Sequence, residues 1–351
     1  MQAVEQFRAQ ILAATQQRRA LRIRGGGSKD WYGQAFEGEM LDTRAHCGLV
    51  DYAPTELVIT ARCGTPLAEI ESVLAERNQM LAFEPPHFGD GATFGGAIAS
   101  GLSGPRRASS GAVRDFVLGA QLMDGRGEVL CFGGQVMKNV AGYDVSRLLA
   151  GSLGTLGLML ELSVKVLPRP TMETTLRFSI SEIEAIRRLN EWGGQALPLS
   201  ASCWHDGVLS VRLSGARAAV DAAVATLGGE TVPDGREFWD GLREQRHAFF
   251  AGPGSLWRLS VPSSTGAIIL KGCQLIEWGG AQRWLKVDAD CAMASAIRST
   301  VSAVGGHATL FRGGDKSVGV FQPLAPAVGA IHQRLKAAFD PSHIFNPGRM
   351  Y

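Results

Sequence analysis

The chain has 351 residues, of which 45% are hydrophobic and 19% charged, and its formal net charge is +2. This composition excludes a disordered chain and gives no support for nucleic-acid binding, and the length predicts two domains. No run of about 18 apolar residues is present, so no transmembrane helix is expected. The six cysteines form no C-x-x-C pair and lack zinc-ligand spacing. We therefore expect no metal site and a reducing, cytoplasmic location.

The first predicted elements are a helix and a strand that leads into a glycine run. Apolar residues recur at helical spacing over residues 3–18, and residues 21–23 form a short strand. The sequence Arg-Gly-Gly-Gly-Ser-Lys follows at once, at residues 24–29. Glycines leave the backbone N–H groups open to a ligand, so we expect this loop to bind phosphate oxygens. It matches neither the Walker A loop nor the G-x-G-x-x-G motif.

A second glycine-rich segment follows a predicted strand (57–61) and a helix that starts near residue 66. It spans residues 84–107, and it contains six glycines and a Pro-Pro pair. Two interpretations are open for it. It forms a second wall of a diphosphate site, or it is a glycine-rich surface loop that ends in two exposed arginines, Arg106 and Arg107.

The middle of the chain predicts a hairpin and then a third glycine-rich segment. Strands on either side of Asp124-Gly125 form the hairpin. A short helix over residues 143–150 precedes three glycines at a spacing of three, Gly151, Gly154 and Gly157. The proline pair at Pro168 and Pro170 marks a domain boundary.

The second half has a different pattern. Strand 176–180, a helix that opens at Ser181 and a hairpin at Asp206-Gly207 precede a helix over residues 216–227. The order β-α-β-β-α is typical of a ferredoxin-like unit. Further strands at 256–261 and 308–311 flank a helix over 292–304.

Four segments, taken in order, resemble the vanillyl-alcohol-oxidase, or PCMH-type, FAD flavoproteins. They are residues 24–29, 91–99, 142–157 and 340–349. The resemblance implies an α+β fold: a two-part PCMH-type FAD-binding domain (1–170) and then a ferredoxin-like α/β cap domain (171–351). The C-terminal segment of the cap would return to the flavin. Four weak motifs in the right order are far more specific than one.

Within that family, the chain is most similar to FAD-binding subunits of bacterial glycolate oxidases (glycolate dehydrogenases). Residues 51–57, 84–87, 104–107 and 134–144 carry this similarity. It implies oxidation of a 2-hydroxy acid, glycolate or D-lactate, in a complex with a larger FAD-containing subunit and an iron–sulfur subunit. Membrane association would come through those partners. Two alternatives are an assembly or electron-relay subunit without turnover of its own, and a free-standing D-lactate-type FAD dehydrogenase.

The resemblance also implies site residues. Some relatives attach FAD covalently through a histidine at the position of Lys29, so we predict non-covalent FAD. The predicted cofactor-binding residues are Arg24, Gly25, Gly26, Gly27, Ser28, Lys29, Gly91, Ala92, Thr93, Gly95, Gly96, Gly151, Gly154, Gly157 and Asn346.

Four residues are candidates for catalysis: His307, Arg312, Asn346 and Arg349. His307 would face the flavin or simply be a polar residue at a strand start. Arg312 would hold a substrate carboxylate or be a solvated arginine at a strand end. Asn346 is favoured as a neighbour of the isoalloxazine ring. His87 is open between the flavin edge and a turn.

Overall fold

The computed structural model describes residues 2–134, 144–287 and 291–350, and its contacts divide the chain into two compact units. The first unit comprises Met1–Leu102, Ala112–Pro168 and Pro323–Tyr351, and the second comprises Ser103–Gly111 and Arg169–Gln322. Both mix helices with sheets, which confirms the predicted α+β class. The units depart from the predicted limits of 1–170 and 171–351 in two places. Residues 103–111 group with the second unit and residues 323–351 with the first.

The described helices are α1 (Gln2–Gln17), α2 (Leu67–Ala75), α3 (Phe94–Ser100), α4 (Arg107–Ser110), α5 (Val113–Phe116), α6 (Glu182–Gly193), α7 (Arg217–Leu227), α8 (Gly235–Arg243), α9 (Cys291–Ala303) and α10 (Pro326–Phe339). In the part of the chain that is described, none of these helices has the length and hydropathy needed to cross a bilayer.

The described strands are β1 (Leu21–Arg24), β2 (Glu39–Asp42), β3 (Leu49–Ala53), β4 (Val58–Arg62), β5 (Gln79–Met80), β6 (Val117–Met123), β7 (Val129–Gly133), β8 (Leu158–Lys165), β9 (Leu167–Pro168), β10 (Met172–Ser179), β11 (Leu199–His205), β12 (Val208–Gly215), β13 (Glu230–Val232), β14 (Ser255–Ser260), β15 (Cys273–Glu277), β16 (Gln282–Val287) and β17 (His307–Arg312).

The first unit is built on a five-stranded antiparallel sheet with the order β3-β4-β8-β6-β7. Helices α2 and α3 contribute to its core through apolar residues at helical spacing, such as Ile70, Leu74 and Ile98, which are fully buried. Burial of such side chains contributes roughly 1.5–3 kcal/mol each. This core fixes the position of α3, and therefore of the glycine-rich segment at its start.

A second, smaller core in the first unit joins the two ends of the chain. Helix α1 buries Phe7, Ile11 and Ala14 beside the parallel pair β1–β2. A parallel bridge pairs Leu21 with Phe345, so the C-terminal segment lies alongside β1. The glycine loop that follows β1 is therefore held next to the end of the chain.

The second unit is an eight-stranded antiparallel sheet with the order β13-β10-β12-β11-β15-β16-β14-β17. In chain order, strands β10–β13 are arranged 4-1-3-2, which is the ferredoxin-like order predicted here. Strands β14–β17 repeat the same order, and the two halves join where β11 pairs with β15. The second half has no helix between β14 and β15. The sheet thus consists of two ferredoxin-like halves side by side.

Residues 103–111 group with the second unit through an ion pair and a cation–π contact. The Arg106 guanidinium donates to Glu173 at 2.7 Å, and Arg106 is 7% exposed. Arg107 lies over the ring of Trp278, 4.4 Å from its centroid. The sequence-based prediction of an exposed arginine pair is therefore wrong for Arg106. Its side chain is buried and pairs with Glu173 of β10, which lies 67 residues further along the chain.

Glu173 is the acceptor shared by this arrangement. Burial opposes ionisation of its carboxyl group, but Arg212, Ser214 and Arg106 together outweigh burial, and the pKa lies below its usual value. Ser214 Oγ donates to the same oxygen as Arg106, at 2.6 Å. The carboxylate therefore stabilises the second unit only while it is ionised.

We expect Glu173→Gln to lower the free energy of unfolding by about 2 kcal/mol at pH 7, because hydrogen bonds to a charged acceptor are lost. A folded-state pKa below the unfolded one gives stability that is present above roughly pH 4.5. The difference between wild type and E173Q should shrink as the pH falls through the lower, folded-state pKa. Thermal unfolding of both proteins between pH 7.5 and 4 measures this; a difference independent of pH would contradict it.

Candidate functional site

The first unit contains an open cleft that is lined by the glycine-rich segments and the C-terminal segment. The residues that line it are Ile23, Arg24, Gly25, Gly26, Gly27, Ser28, Lys29, Asp30, Thr43, Cys63, Thr93, Gly95, Gly96, Ala99, Ser100, Leu153, Gly154, Gly157, Leu158, Met159, Asn346 and Arg349. Segments far apart in the sequence therefore meet in one concave site.

The first glycine loop offers unused hydrogen-bond donors to this cleft. Within the described part of the chain, the backbone N–H groups of Gly25, Gly26, Gly27 and Ser28 donate to no protein acceptor. Consecutive N–H groups without acceptors form a nest that suits anionic oxygens. These four residues are partly exposed and line the cleft, so their N–H groups are accessible to a ligand that carries phosphate oxygens.

The same loop can hold only glycine at its centre. A Cβ on Gly26 would lie 1.4 Å from the Gly91 carbonyl oxygen, and one on Gly25 would lie 2.3 Å from Thr93 Oγ1. Gly27 has φ +76°, a conformation that glycine adopts without strain. The absence of side chains thus allows the first and second glycine segments to touch through their backbones.

The second segment is held in place by residues 63–65, which connect β4 to α2. The N–H groups of Phe94 and Gly95 donate to the carbonyls of Thr65 and Cys63, both at 2.8 Å. Thr93 caps α3, and its Oγ1 accepts from the Gly96 N–H at 3.3 Å. Thr93, Gly95 and Gly96 line the cleft.

Gly91 and Ala92 support that segment without lining the cleft. Gly91 contacts the backbone of Gly26, and Ala92 is 3% exposed. Burial raises the pKa of the Cys63 thiol, which lines the cleft, to about 12, so this cysteine is a neutral group there.

The third segment reaches the cleft through Gly154 and Gly157, whereas Gly151 lies against the backbone of Gly101. Residues 135–143, which carry part of the predicted motif, lie outside the described residues. The described part of the predicted helix over 143–150 is a 3-10 turn at Ser146–Leu149.

Asn346 joins three segments around the cleft. Its Oδ1 accepts from the Ile23 N–H at 2.8 Å, and its Nδ2 donates to the Leu153 carbonyl at 2.6 Å. Its own N–H donates to the carbonyl of Leu21. Asn346, which we favoured as a flavin neighbour, therefore lines the cleft. Its side-chain hydrogen bonds, however, hold β1 and the third segment in position.

Arg349 fixes the other end of the first glycine loop. Its guanidinium donates to the carbonyls of Lys29 and Tyr32, at 3.2 and 2.9 Å. Burial lowers its pKa, and the charge of Asp30 opposes that shift. Its buried Nε has no hydrogen-bond partner within the described residues. Arg349 thus contributes a partly satisfied cation to the wall of the cleft.

The charged groups at the mouth of the first loop pair with one another. Asp30 accepts from Arg24 at 2.6 Å and from Arg22 at 2.8 Å. Lys29 Nζ donates to the carbonyl of His87, whose imidazole lies 3.0 Å from Glu71. His87 therefore acts on the loop through its backbone, and its ring does not line the cleft.

A buried ion pair, which the sequence analysis missed, holds the C-terminal segment. Lys336 Nζ donates to Asp340 Oδ2, to the Thr155 carbonyl and to the Phe345 carbonyl at 2.6–2.7 Å. Asp340 also accepts the N–H groups of Ile344 and Phe345. The i, i+4 spacing was the available signal, but it is equally typical of a solvated helix face.

The other two catalytic candidates belong to the second unit. His307 and Arg312 are the first and last residues of β17. Partial burial and the charge of Arg258 lower the pKa of His307, and burial lowers that of Arg312. Strand register pairs Arg258 with Thr309, so Arg258 and His307 share one face of the sheet. The sequence analysis did not single out Arg258.

Comparison with known proteins identifies a domain family and relatives of this chain. Residues 1–133 match the family described as "FAD binding domain". The chain is 51% identical over 342 residues to the glycolate oxidase subunit GlcE of Escherichia coli. The aligned region covers 97% of this chain and 95% of that protein. It is 34% identical over 128 residues to the glycolate oxidase subunit GlcD of Bacillus subtilis, covering 36% of this chain and 27% of that protein.

A more distant likeness concerns the fold alone. A solved structure of alkyldihydroxyacetonephosphate synthase superposes with a TM-score of 0.68 at 15% identity, covering 98% of this chain and 74% of that one. The matched domain and the relatives define an FAD-dependent oxidoreductase of the PCMH type. Within that class, the chain belongs to the family of the glycolate oxidase subunit GlcE.

We expect Gly26→Ala to reduce cofactor loading, because its Cβ would collide with the Gly91 carbonyl oxygen and push the two loops apart. FAD affinity should fall by about tenfold or more as phosphate hydrogen bonds are lost. Gly193→Ala is the matched control, since nothing lies within 4 Å of its Cβ. Flavin absorbance of the purified proteins and equilibrium dialysis measure the effect. Equal FAD content in G26A and wild type would contradict it.

We expect Lys336→Met to lower the free energy of unfolding by about 3–5 kcal/mol, because Asp340 would remain as an unpaired buried charge. The double variant K336M/D340N should recover part of this loss, since it removes that charge. Lys271→Met, at an exposed lysine, serves as the control. Urea unfolding followed by circular dichroism gives the values. A K336M protein as stable as K271M would show that the ion pair contributes little.

Proposed function

We propose that this chain is the FAD-binding subunit of a multi-subunit 2-hydroxy-acid oxidase that acts on glycolate, and that electrons pass through its own flavin. The observation that carries the proposal is the row of four backbone N–H groups, Gly25 to Ser28, that face the cleft without acceptors. Consecutive N–H groups without protein acceptors are the arrangement that binds anionic oxygens, and the diphosphate of FAD supplies such oxygens.

The residues that line the cleft suit FAD in two ways. The N–H groups of 25–28 and the Thr93 hydroxyl would hold the diphosphate. Arg349 and Arg24 supply positive charge near it, as an anionic cofactor requires. When bound, FAD supplies the two-electron acceptor for oxidation of the α-carbon of a 2-hydroxy acid. The chain's own residues bind and orient that cofactor.

We propose that the FAD is held without a covalent bond. Lys29 stands where some relatives carry the attached histidine, and its ammonium donates to the His87 carbonyl and to Ser28 Oγ. A protonated amine with these acceptors is a poor nucleophile. The first loop therefore supplies positioning alone.

The proposed partners are a larger FAD-containing subunit and an iron–sulfur subunit, with glycolate or D-lactate as the substrate of the complex. The family to which the chain belongs supports a role as one subunit among several. A cytoplasmic location, with membrane association through the partners, completes the proposal.

A second candidate function is an electron-relay or assembly subunit without substrate turnover of its own. It is favoured by the chemistry of the cleft. Among the described lining residues, Asp30 is the one carboxylate, it is held by two arginines, and no imidazole is present. The cleft therefore lacks a free base to take the hydroxyl proton of a 2-hydroxy acid.

One experiment separates these functions. We expect the purified chain to show a flavin spectrum and to release its flavin into the supernatant on acid precipitation. Anaerobic addition of glycolate or D-lactate that bleaches the band near roughly 450 nm, as for flavins generally, would support turnover in this chain. A yellow protein that stays unbleached, and bleaches only with its partner subunits, would support the relay function. A colourless protein would overturn the proposal.

A further inference from the structure

Helix α10 carries an apolar stripe that the first unit covers only in part. Val328, Ile331, Leu335 and Phe339 recur at helical spacing along it. Leu335 and Phe339 pack against the core of the five-stranded sheet. Val328 and Ile331 are 43% and 54% exposed, and Leu324, just before the helix, is 45% exposed. The first half of the stripe therefore extends beyond the core that buries its second half.

A groove, here called the α10 groove, lies between α10 and residues 343–350, and Leu324 lines it as well. His332, Arg334 and His343 contribute to its lining, and no carboxylate does so within the described residues. Arg334 makes no ion pair with any described residue, and α10 itself contains neither Asp nor Glu. The first half of α10 thus presents exposed apolar side chains next to a groove that contains Arg334.

The α10 groove also borders the cofactor cleft. Asn346 lines both, and Thr155, whose carbonyl accepts from Lys336, lines the groove. A protein seated on α10 would therefore adjoin a groove that shares Asn346 with the cleft. This position suits a partner that exchanges electrons with the cofactor, because transfer is favoured by a short distance between redox sites.

We propose that the first half of α10 is the docking surface for a redox partner subunit, which presents apolar side chains flanked by carboxylates. The exposed stripe supplies the apolar contact, as large exposed apolar patches commonly do at interfaces. Arg334, in a groove without a described carboxylate, supplies charge complementarity to an acidic partner and would repel the same arginine of a second copy. The inference rests on the proposed function, since it assumes that partner subunits exist.

The test uses an affinity-tagged chain co-expressed with the larger flavin subunit and the iron–sulfur subunit of the same oxidase. We expect the double variant V328D/I331D to lose about tenfold or more of the co-purified partner, because two carboxylates would enter an apolar contact. Ile269→Asp is the matched control: Ile269 is 96% exposed and lies in the second unit, and I269D should retain its partners.

Two further measurements keep the outcomes distinct. The FAD content of V328D/I331D should equal that of wild type, because neither residue lines the cleft. If the double variant fails to fold, Arg334→Glu, on the exposed surface, takes its place and should weaken partner binding several-fold and most strongly at low salt. Full partner retention by the variants would overturn the docking surface.

The remaining outcomes address the occupant. A wild-type chain that co-purifies with neither subunit would refute the proposed complex and the docking surface together. Light scattering of the chain alone tests whether a second copy of the chain occupies the surface. A wild-type dimer that V328D/I331D converts to a monomer, with partner binding unchanged, would identify a second copy of the chain as the occupant and overturn the proposal.

Discussion

The first unit depends on the buried pair formed by Lys336 and Asp340. Two charges removed from water cost several kcal/mol each unless their hydrogen bonds are filled. Here they are filled: the ammonium has three acceptors and the carboxylate receives three donors. Burial lowers the pKa of Lys336, and the hydrogen bond and charge of Asp340 oppose that shift. The partners of the pair join α10 to the C-terminal segment and to the third glycine segment.

The pair acts on the cleft through Asn346, which follows Phe345 in the sequence. Because Phe345 is tied to Lys336 and paired with Leu21, Asn346 is delivered to the end of β1 with both ends of its amide already bonded. The cleft wall is therefore determined by backbone positions rather than by large side chains. Recognition through main-chain N–H groups tolerates changes in the surrounding sequence but requires that Gly25, Gly26 and Gly27 remain small.

The sequence predicted the parts of the site that are encoded locally. A glycine run after a strand has a local physical meaning, and residues 24–29 all line the cleft. The ferredoxin-like order of β10–β13 was likewise visible as helix and strand periodicity. Its repetition in β14–β17 was hidden because a loop replaces the first helix of that half.

What the sequence could not predict depends on contacts between distant segments. Gly151 has the same spacing as Gly154 and Gly157, but it packs against Gly101, and only the fold reveals this. The sequence around Arg106 is typical of an exposed loop, but Arg106 is buried and pairs with Glu173. Lys336 and Asp340 have the spacing of a surface pair. In each case the partner lies outside the local window, or burial changes the meaning of a familiar pattern.

The return of the C-terminal segment to β1 has a consequence for biosynthesis. Asn346 bonds to Ile23, 323 residues earlier in the chain. At a translation rate of about 5–20 residues per second, roughly 16–65 seconds separate the synthesis of these two residues. The strands of the second unit are complete before the last wall of the cleft exists. In the nascent first unit, β1 and the smaller core therefore lack these contacts until Phe345 and Asn346 emerge from the ribosome.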